Sequence, residues 1–292
     1  MGAYINSTVE KAVADSLGSD VYNIELSSGA RHESEDIIEY VNMQKKLDMR
    51  FVVHNYFPVP STPFVLNLAS NNPELRSRSI AHCQTAIDIT AAIDAPFYSL
   101  HSGFCIDPSP DSLGTKLTGK SQARNTGLRI FIESLEQVAE YAAKKGVSIL
   151  IENNVVTRAN LKNGKNDLLL GVTADELNYI FESVDADNLG LLLDVAHLKV
   201  SANTLGFSAE ETVAKLASKI FCCHLSDNNG LVDSNQKVDS DSWFWDPLAK
   251  YLSHAPVWVL EVYNIDMASI VSQVKLIRET FSQLNPALIN QD

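Results

Sequence analysis

The sequence has few cysteines, no long apolar run and a shortage of positive charge. It has four cysteines in 292 residues, none in a Cys-x-x-Cys pair, and we expect small buried thiols in a reducing cytosol. No stretch approaches the ~20 apolar residues that a membrane span requires. The N-terminus lacks the charged and apolar regions of a signal peptide. A soluble, cytoplasmic protein is therefore the expectation.

Positive charge is scarce, with 23 Lys and Arg against 36 Asp and Glu, which gives a formal net charge of −13. Binding to a nucleic-acid backbone needs a basic surface, so this balance disfavours a general nucleic-acid partner, although a local basic patch remains compatible with it. We expect a small-molecule partner, and self-association into a homo-oligomer stays open.

Short apolar runs alternate with amphipathic stretches along the whole chain. The predicted strands are residues 3–6, 21–26, 51–54, 97–101, 147–151, 189–193, 220–224 and 257–260. The predicted helices are residues 9–17, 34–48, 73–93, 126–145, 173–184, 208–218, 246–252 and 267–284. Eight strands alternating with eight helices predict an α/β protein, a single (β/α)8 TIM barrel over residues 1–292. An open doubly wound sheet is the alternative, but no Gly-rich phosphate loop follows the first strand.

Ionisable residues stand where the predicted strands end, and in this fold that edge carries the chemistry. They are His54, His101, Glu152, Asp194, His197, His224 and Glu261. One such residue alone would more readily be structural. Several carboxylates converging on one mouth repel one another unless a cation compensates their charge. Mixed Asp, Glu and His ligands suit Mn²⁺, Co²⁺, Mg²⁺ or Zn²⁺, so we predict a divalent metal site.

The segment 153–171 is long for a connection between a strand and a helix. It contains Asn153 and four further asparagines, together with Arg158, Lys162 and Lys165. One interpretation is a lid that contacts a polyol, with a phosphate or carboxylate held by the cations. The other is a solvated excursion of the chain.

Three aromatic residues, Trp243, Phe244 and Trp245, follow the seventh predicted strand. They are candidates for stacking on a sugar face, and the alternative is packing of the next helix against the barrel.

Seven segments together resemble the xylose isomerase-like barrels, which include sugar isomerases and epimerases, inosose dehydratase and endonuclease IV. The matching segments are Phe51-Val52-Val53-His54, Leu66-Asn67-Leu68-Ala69-Ser70, Ser99-Leu100-His101-Ser102-Gly103, Ile151-Glu152-Asn153, Leu193-Asp194-Val195-Ala196-His197, His224-Leu225-Ser226-Asp227 and Leu260-Glu261-Val262. The resemblance covers nearly the whole chain. It is specific for the superfamily but not for a substrate.

In the sugar epimerases the resemblance implies one metal ion and a pair of catalytic glutamates. The metal ligands would be Glu152, Asp194, His224 and Glu261. Glu152 and Glu261 would also act as acid and base on opposite faces of a ketose, through an enediolate. The substrate-binding residues would be His54, His101, His197 and Asn153. The Arg that ketose 3-epimerases carry six residues after the metal-binding His is here Gly230, which weighs against that particular activity.

Two other activities of the superfamily remain as alternatives, an inosose dehydratase-like lyase and an endonuclease IV-like phosphodiester hydrolase. Endonuclease IV uses three zinc ions, and the resemblance supplies residues for the first two sites. The third needs an Asp-x-His, for which the best match is Asp233-Ser234-Asn235. This departure disfavours DNA incision. A second metal at His54 and His101 stays possible, although we favour substrate binding or a structural role there.

Overall fold

The computed structural model describes residues 8–19, 21–27, 31–113 and 115–284. Within these ranges seven parallel strands pair in chain order into one sheet, which forms a nearly closed barrel. The strands are β1 (Asn23–Leu26), β2 (Arg50–His54), β3 (Phe97–His101), β4 (Ser148–Glu152), β5 (Leu189–Asp194), β6 (Ile220–Leu225) and β7 (Val257–Leu260). The strand predicted over residues 3–6 lies outside the described residues. The TIM barrel prediction is confirmed.

Helices alternate with the strands and cover the outside of the sheet. They are α1 (Val9–Leu17), α2 (Ile37–Lys45), α3 (Pro73–Ala92), α4 (Arg124–Lys144), α5 (Ala174–Val184), α6 (Val195–Leu205), α7 (Ala209–Leu216), α8 (Trp245–Tyr251) and α9 (Met267–Leu284). The predicted bounds of α1 and α9 agree with the structure. The helix predicted over residues 34–48 is shorter at both ends. Asp36 caps the start of α2 by accepting hydrogen bonds from the Ile38 and Glu39 amides, and residues 46–48 form a turn.

A layer of apolar side chains fills the barrel interior below its mouth. It contains Val52, Phe97, Leu150, Leu192, Cys222 and Val259, one from each of six strands. Successive side chains of a strand point to opposite faces, so the residue two positions later faces the interior again, one layer higher. Those next positions include Glu152, Asp194 and His224. The strand period therefore places the candidate site directly above an apolar floor.

Helix α6 was not predicted from the sequence. Its presence puts His197 on a helix, whereas the sequence analysis listed it with the strand ends. Asp194 ends β5 and caps α6 by accepting a hydrogen bond from the His197 amide at 2.7 Å. Gly206, with φ of 78°, ends the helix in the left-handed conformation. His197 thus lies in the first turn of a helix, where the strand end before it fixes its backbone.

Part of the segment 153–171 packs into a second apolar cluster of the protein. That cluster contains Val65, Phe104, Ile106, Leu117, Val156, Leu168, Leu169 and Val172. Arg124 donates to the carbonyls of Asn166 and Leu169 and forms two hydrogen bonds, 2.6 and 2.8 Å long, with Glu176. The description as a solvated excursion is therefore wrong for most of the segment, while Arg158, Lys162 and Lys165 are exposed.

The aromatic run and the cysteines belong to the packed interior. Phe244 and Trp245 are buried in the main core, which excludes them from sugar stacking, and Trp243 packs against the same core. All four cysteines are unpaired and buried, as predicted, and burial raises the pKa of Cys83 to about 12. Among the described residues, every helix is too short or too polar to cross a bilayer.

Candidate active site

Four predicted metal ligands meet at the carboxyl edge of the barrel. Glu152 and Asp194 are the last residues of β4 and β5, His224 lies one residue before the end of β6, and Glu261 follows β7 directly. The Nδ1 atom of His224 lies 3.0 Å from Glu261 Oε2, 3.7 Å from Glu152 Oε1 and 4.0 Å from Asp194 Oδ2. One ligand atom from each of the four falls within 4.8 Å of all the others. The structure thus brings the four side chains together, and their role as metal ligands stays a prediction.

The spacing and the unsatisfied atoms fit a divalent ion. Two ligands that are each about 2.1 Å from one ion lie about 3.0–3.4 Å apart. The distance from His224 Nδ1 to Glu261 falls in this range, and those to Glu152 and Asp194 are 0.3–0.6 Å longer than its upper end. Asp194 Oδ2 and Glu152 Oε2 are buried and accept no hydrogen bond within the described protein. Unpaired carboxylate oxygens in an interior are costly, and a cation is the partner that relieves this cost.

In the metal-free protein, bound protons partly compensate the negative charge of the clustered carboxylates. Burial raises the pKa of Glu152 well above its usual range and raises the pKa of Asp194 to about 7. Burial would lower the pKa of His224, but the carboxylates of Glu25 and Glu261 outweigh it and hold that pKa well above its usual range. Burial would likewise raise the pKa of Glu261, and the neighbouring charge of His224 lowers it instead. The site therefore holds protons where it could hold a metal ion.

A second group of potential ligands shares Glu152 with the first. His54 Nε2 lies 3.4 Å from Glu152 Oε2, and His101 Nδ1 lies 3.1 Å from the same oxygen without the angle of a hydrogen bond. Ser99 Oγ lies 2.9 Å from His54 Nδ1 and holds that ring. Burial lowers the pKa of His54 to about 3, so its ring is neutral, as a ligand must be. The geometry accommodates either a second ion or a substrate hydroxyl at this point.

His197 lies between Asn153 and Asp233, beside the four-residue group. Its Nδ1 atom is 2.9 Å from the carbonyl oxygen of Asn153, and its Nε2 atom is 3.2 Å from Asp233 Oδ2. Burial would lower the pKa of His197, but Asp194 and Asp233 raise it well above its usual range. The ring is thus held from both edges, at the rim of the group.

Two asparagines of the site use their side chains to hold the backbone. Asn153, predicted to bind substrate, donates from Nδ2 to the Asp194 carbonyl at 3.0 Å and accepts the Asp194 amide at 2.8 Å. Asn235 donates from Nδ2 to the Glu261 carbonyl at 3.2 Å. Both amides therefore fix the backbone of a candidate ligand. Asn235 occupies the position at which a third zinc site would need a histidine. Asp233, the acidic residue of the same motif, contacts His197.

Glu25 is a member of the site that the sequence analysis missed. It lies in β1, is 2 % exposed, and its Oε2 atom is 2.9 Å from His224 Nε2. The burial of Glu25 would raise its pKa, but the charges of His224 and His54 lower it. The signal in the sequence was an acid between Ile24 and Leu26, inside an apolar strand. Glu25 is the third residue of β1 and not its last, so it does not occupy the strand-end position of the other ionisable residues.

Comparison with other proteins agrees with this architecture. A family model described as "Xylose isomerase-like TIM barrel" matches residues 13–275. An uncharacterized protein of Methanocaldococcus jannaschii, MJ1311, is 24 % identical over 293 aligned positions, which cover 99 % of this chain and 88 % of that protein. A probable endonuclease 4 of Aquifex aeolicus is 31 % identical over 135 positions. That second match covers 46 % of this chain and only 40 % of the relative.

Solved structures share the fold over nearly the whole chain. A D-tagatose 3-epimerase-like protein has a TM-score of 0.74 and 21 % identity, covering 98 % of this chain and 97 % of its own. An L-ribulose 3-epimerase has a TM-score of 0.70 and 16 % identity, with coverages of 97 % and 94 %. The IOLI protein with a zinc atom has a TM-score of 0.68 and 13 % identity, with coverages of 97 % and 98 %. At these identities the likeness shows the fold alone. The family model and the architecture together place this chain in the xylose isomerase-like TIM barrel family.

Proposed function

We propose that the protein is a divalent metal-dependent isomerase or epimerase of sugars or sugar derivatives. The observation that carries the proposal is that Glu152 and Glu261 face one centre together with Asp194 and His224. Two glutamates beside a metal-ligating group are what proton transfer next to a carbonyl needs. Fold neighbours named as epimerases, and one recorded with zinc, are in keeping with this chemistry.

Glu152, Asp194, His224 and Glu261 would hold the ion. An ion held by these residues would supply Lewis-acid chemistry, which polarises a substrate carbonyl and stabilises developing negative charge. Glu261 would take a proton from the carbon next to the carbonyl. Glu152, the other glutamate of the group, would return a proton to the enediolate. Return to the other carbon gives isomerisation, and return to the opposite face of the same carbon gives epimerisation.

The surrounding residues would orient the sugar. His197 is held by Asn153 and Asp233 beside the four-residue group, where it would contact a substrate hydroxyl. His54 and His101 provide imidazole nitrogens on the other side of Glu152.

Solvent-deuterium incorporation tests the proposal. The metal-loaded protein is incubated in D₂O with a panel of ketoses, their phosphates and inososes, and carbon-bound deuterium is measured by NMR. Glu152→Gln and Glu261→Gln should lower the rate by about 10²–10⁴ fold, the range typical of a lost acid or base. Glu176→Gln is the matched control, because its carboxylate pairs with Arg124 and lies outside the four-residue group. Retained exchange in both site variants would contradict the mechanism.

The same measurement separates an isomerase from a lyase. An inosose dehydratase-like lyase also begins with proton removal beside a carbonyl but then expels a hydroxyl group. NMR of the product distinguishes a rearranged sugar from one that has lost water.

A phosphodiester hydrolase is the second candidate, favoured by the group of His54, His101 and Glu152 and by the approach of Asp233 to His197. Asn235 weighs against it, since its amide is engaged with the Glu261 carbonyl. Incubation with a duplex that contains an abasic site tests this candidate. Metal-dependent incision at enzymatic rates, without deuterium exchange into any sugar, would reverse the ranking.

A further inference from the structure

We infer that Glu25 is a positioning residue of the metal centre: it accepts the Nε2 proton of His224 and so directs Nδ1 of that ring toward the ion. This role rests on the proposed function, since it requires a metal ion at the four-residue group. Glu25 is contributed by β1, on the opposite side of the His224 ring from the proposed ligands.

The imidazole of His224 lies between two sets of carboxylates, one at each ring nitrogen. Glu25 Oε2 lies 2.9 Å from Nε2, while Glu261 Oε2 lies 3.0 Å and Glu152 Oε1 3.7 Å from Nδ1. His224 is 0 % exposed and Glu25 is 2 % exposed, so water does not compete for either atom. Within the residues that the structure describes, Glu25 is the hydrogen-bond partner of Nε2.

The chemistry of imidazole explains why this contact matters to a metal ion. A metal-binding nitrogen must carry a lone pair, and a neutral ring keeps its one proton on the other nitrogen. A carboxylate at Nε2 fixes that proton there, sets the rotation of the ring and makes Nδ1 a stronger donor. Loss of such a partner typically lowers metal affinity about 10–100 fold without removing a ligand.

A different arrangement would make Glu25 a ligand itself, together with His54 and His224, since these three also lie within 4.8 Å of one another. The two arrangements differ in a measurable way. A positioning residue changes the affinity for an ion and leaves the number of ions unchanged. A ligand removes a bound ion when it is replaced.

The test compares Mn²⁺ binding by isothermal titration for the wild type, Glu25→Ala, Glu25→Gln and Glu176→Gln. We expect Glu25→Ala to raise the Kd about 10–100 fold with unchanged stoichiometry. Glu25→Gln should be affected less, because its amide oxygen can still accept the Nε2 proton. Glu176→Gln, which also removes an internal carboxylate, should leave the Kd unchanged.

Two spectroscopic readouts exclude a merely structural effect. The visible absorption of bound Co²⁺ should change in Glu25→Ala and not in Glu176→Gln. In the Zn²⁺-loaded wild type, the Nε2 proton of His224 should be visible by NMR and protected from solvent, and in Glu25→Ala it should exchange. If Glu25→Ala does not fold, the nearly isosteric Glu25→Gln still reports both signals.

Three results would overturn the inference, and each points to a different cause. Unchanged affinity and Co²⁺ spectrum in both Glu25 variants would show that the contact does not serve the ion. Loss of a full equivalent of metal in Glu25→Gln would make Glu25 a ligand. A wild type that binds no divalent ion would refute the metal centre itself, and with it the proposed function.

Discussion

Lowering the pH is expected to weaken metal binding steeply, because protons occupy the site in the metal-free protein. Both ring nitrogens of His224 face carboxylates, and its pKa is held well above the usual range. Burial raises the pKa of Asp194 to about 7. At pH 6 both groups are therefore protonated, and an ion must displace these protons to reach them.

The magnitude follows from the number of protons released. Binding at His224 Nδ1 displaces one proton, while the Nε2 proton remains with Glu25, and binding at Asp194 displaces another. Each displaced proton changes the apparent affinity tenfold per pH unit, about 1.4 kcal/mol, so about two protons give on the order of 10⁴ fold between pH 7 and pH 5. The sign is fixed by the raised pKa values: affinity rises with pH and levels off above them. The pKa of Glu152 is also raised by burial, so displacing its proton as well would make the slope about three protons.

Isothermal titration with Mn²⁺ in two buffers of different ionisation enthalpy measures the protons released directly. We expect about two to three per ion at pH 6, and the same number for Glu176→Gln, which lies outside the four-residue group. An affinity that does not change between pH 5 and pH 7, with no proton release, would refute the charge arrangement described for this site.

Three further predictions concern the framework around the site. Glu176→Gln should lower the free energy of unfolding, measured in urea, by about 2–3 kcal/mol. This loss is smaller than that of a fully buried ion pair, because the Arg124 side chain is 27 % exposed. A change below about 0.5 kcal/mol would contradict the pairing. Gly171→Ala should lower the free energy of unfolding by about 3 kcal/mol or more, since φ is 63° and a Cβ would collide with Ser102 Oγ. Gly164→Ala, where φ is 76° but the space is open, should lower it by only about 1–2 kcal/mol. Equal losses of stability in the two variants would show that the crowding at Gly171 is absent. All four thiols should resist Ellman's reagent in the folded protein and react after denaturation, because they are buried; rapid labelling of the folded chain would contradict this.

The barrel and its ligand edge were predictable because strand burial and strand ends leave a direct trace in the sequence. An apolar run that ends in an acid or an imidazole, as at Glu152 and Asp194, indicates both the strand and the mouth of the barrel. The predicted bounds of β3 and β7 agree with the structure for the same reason. That residues 1–292 form one domain, that the protein is cytoplasmic and that it self-associates stay predictions.

Helix α6 and Glu25 were missed for physical reasons that differ. Helix α6 starts directly at the end of β5 and is buried over most of its first turns, so it lacks the alternation of apolar and polar faces that identifies a surface helix. Its signals were the cap at Asp194 and the glycine at position 206. Glu25 gives only a weak signal, because the partner that explains its burial, His224, is 199 residues away. The use of Asn153 and Asn235 as backbone braces is likewise set by tertiary contacts.

Metal content tests the central claim most directly. Elemental analysis of the wild type and of Asp194→Asn, after loading with Mn²⁺ or Zn²⁺ and removal of free ions, counts the bound ions. We predict at least one tightly held ion per wild-type chain and one fewer in Asp194→Asn, since its carboxylate Oδ2 is buried and accepts no hydrogen bond from the described protein. No retained ion in the wild type, or the same number in both proteins, would contradict a metal centre formed by Glu152, Asp194, His224 and Glu261.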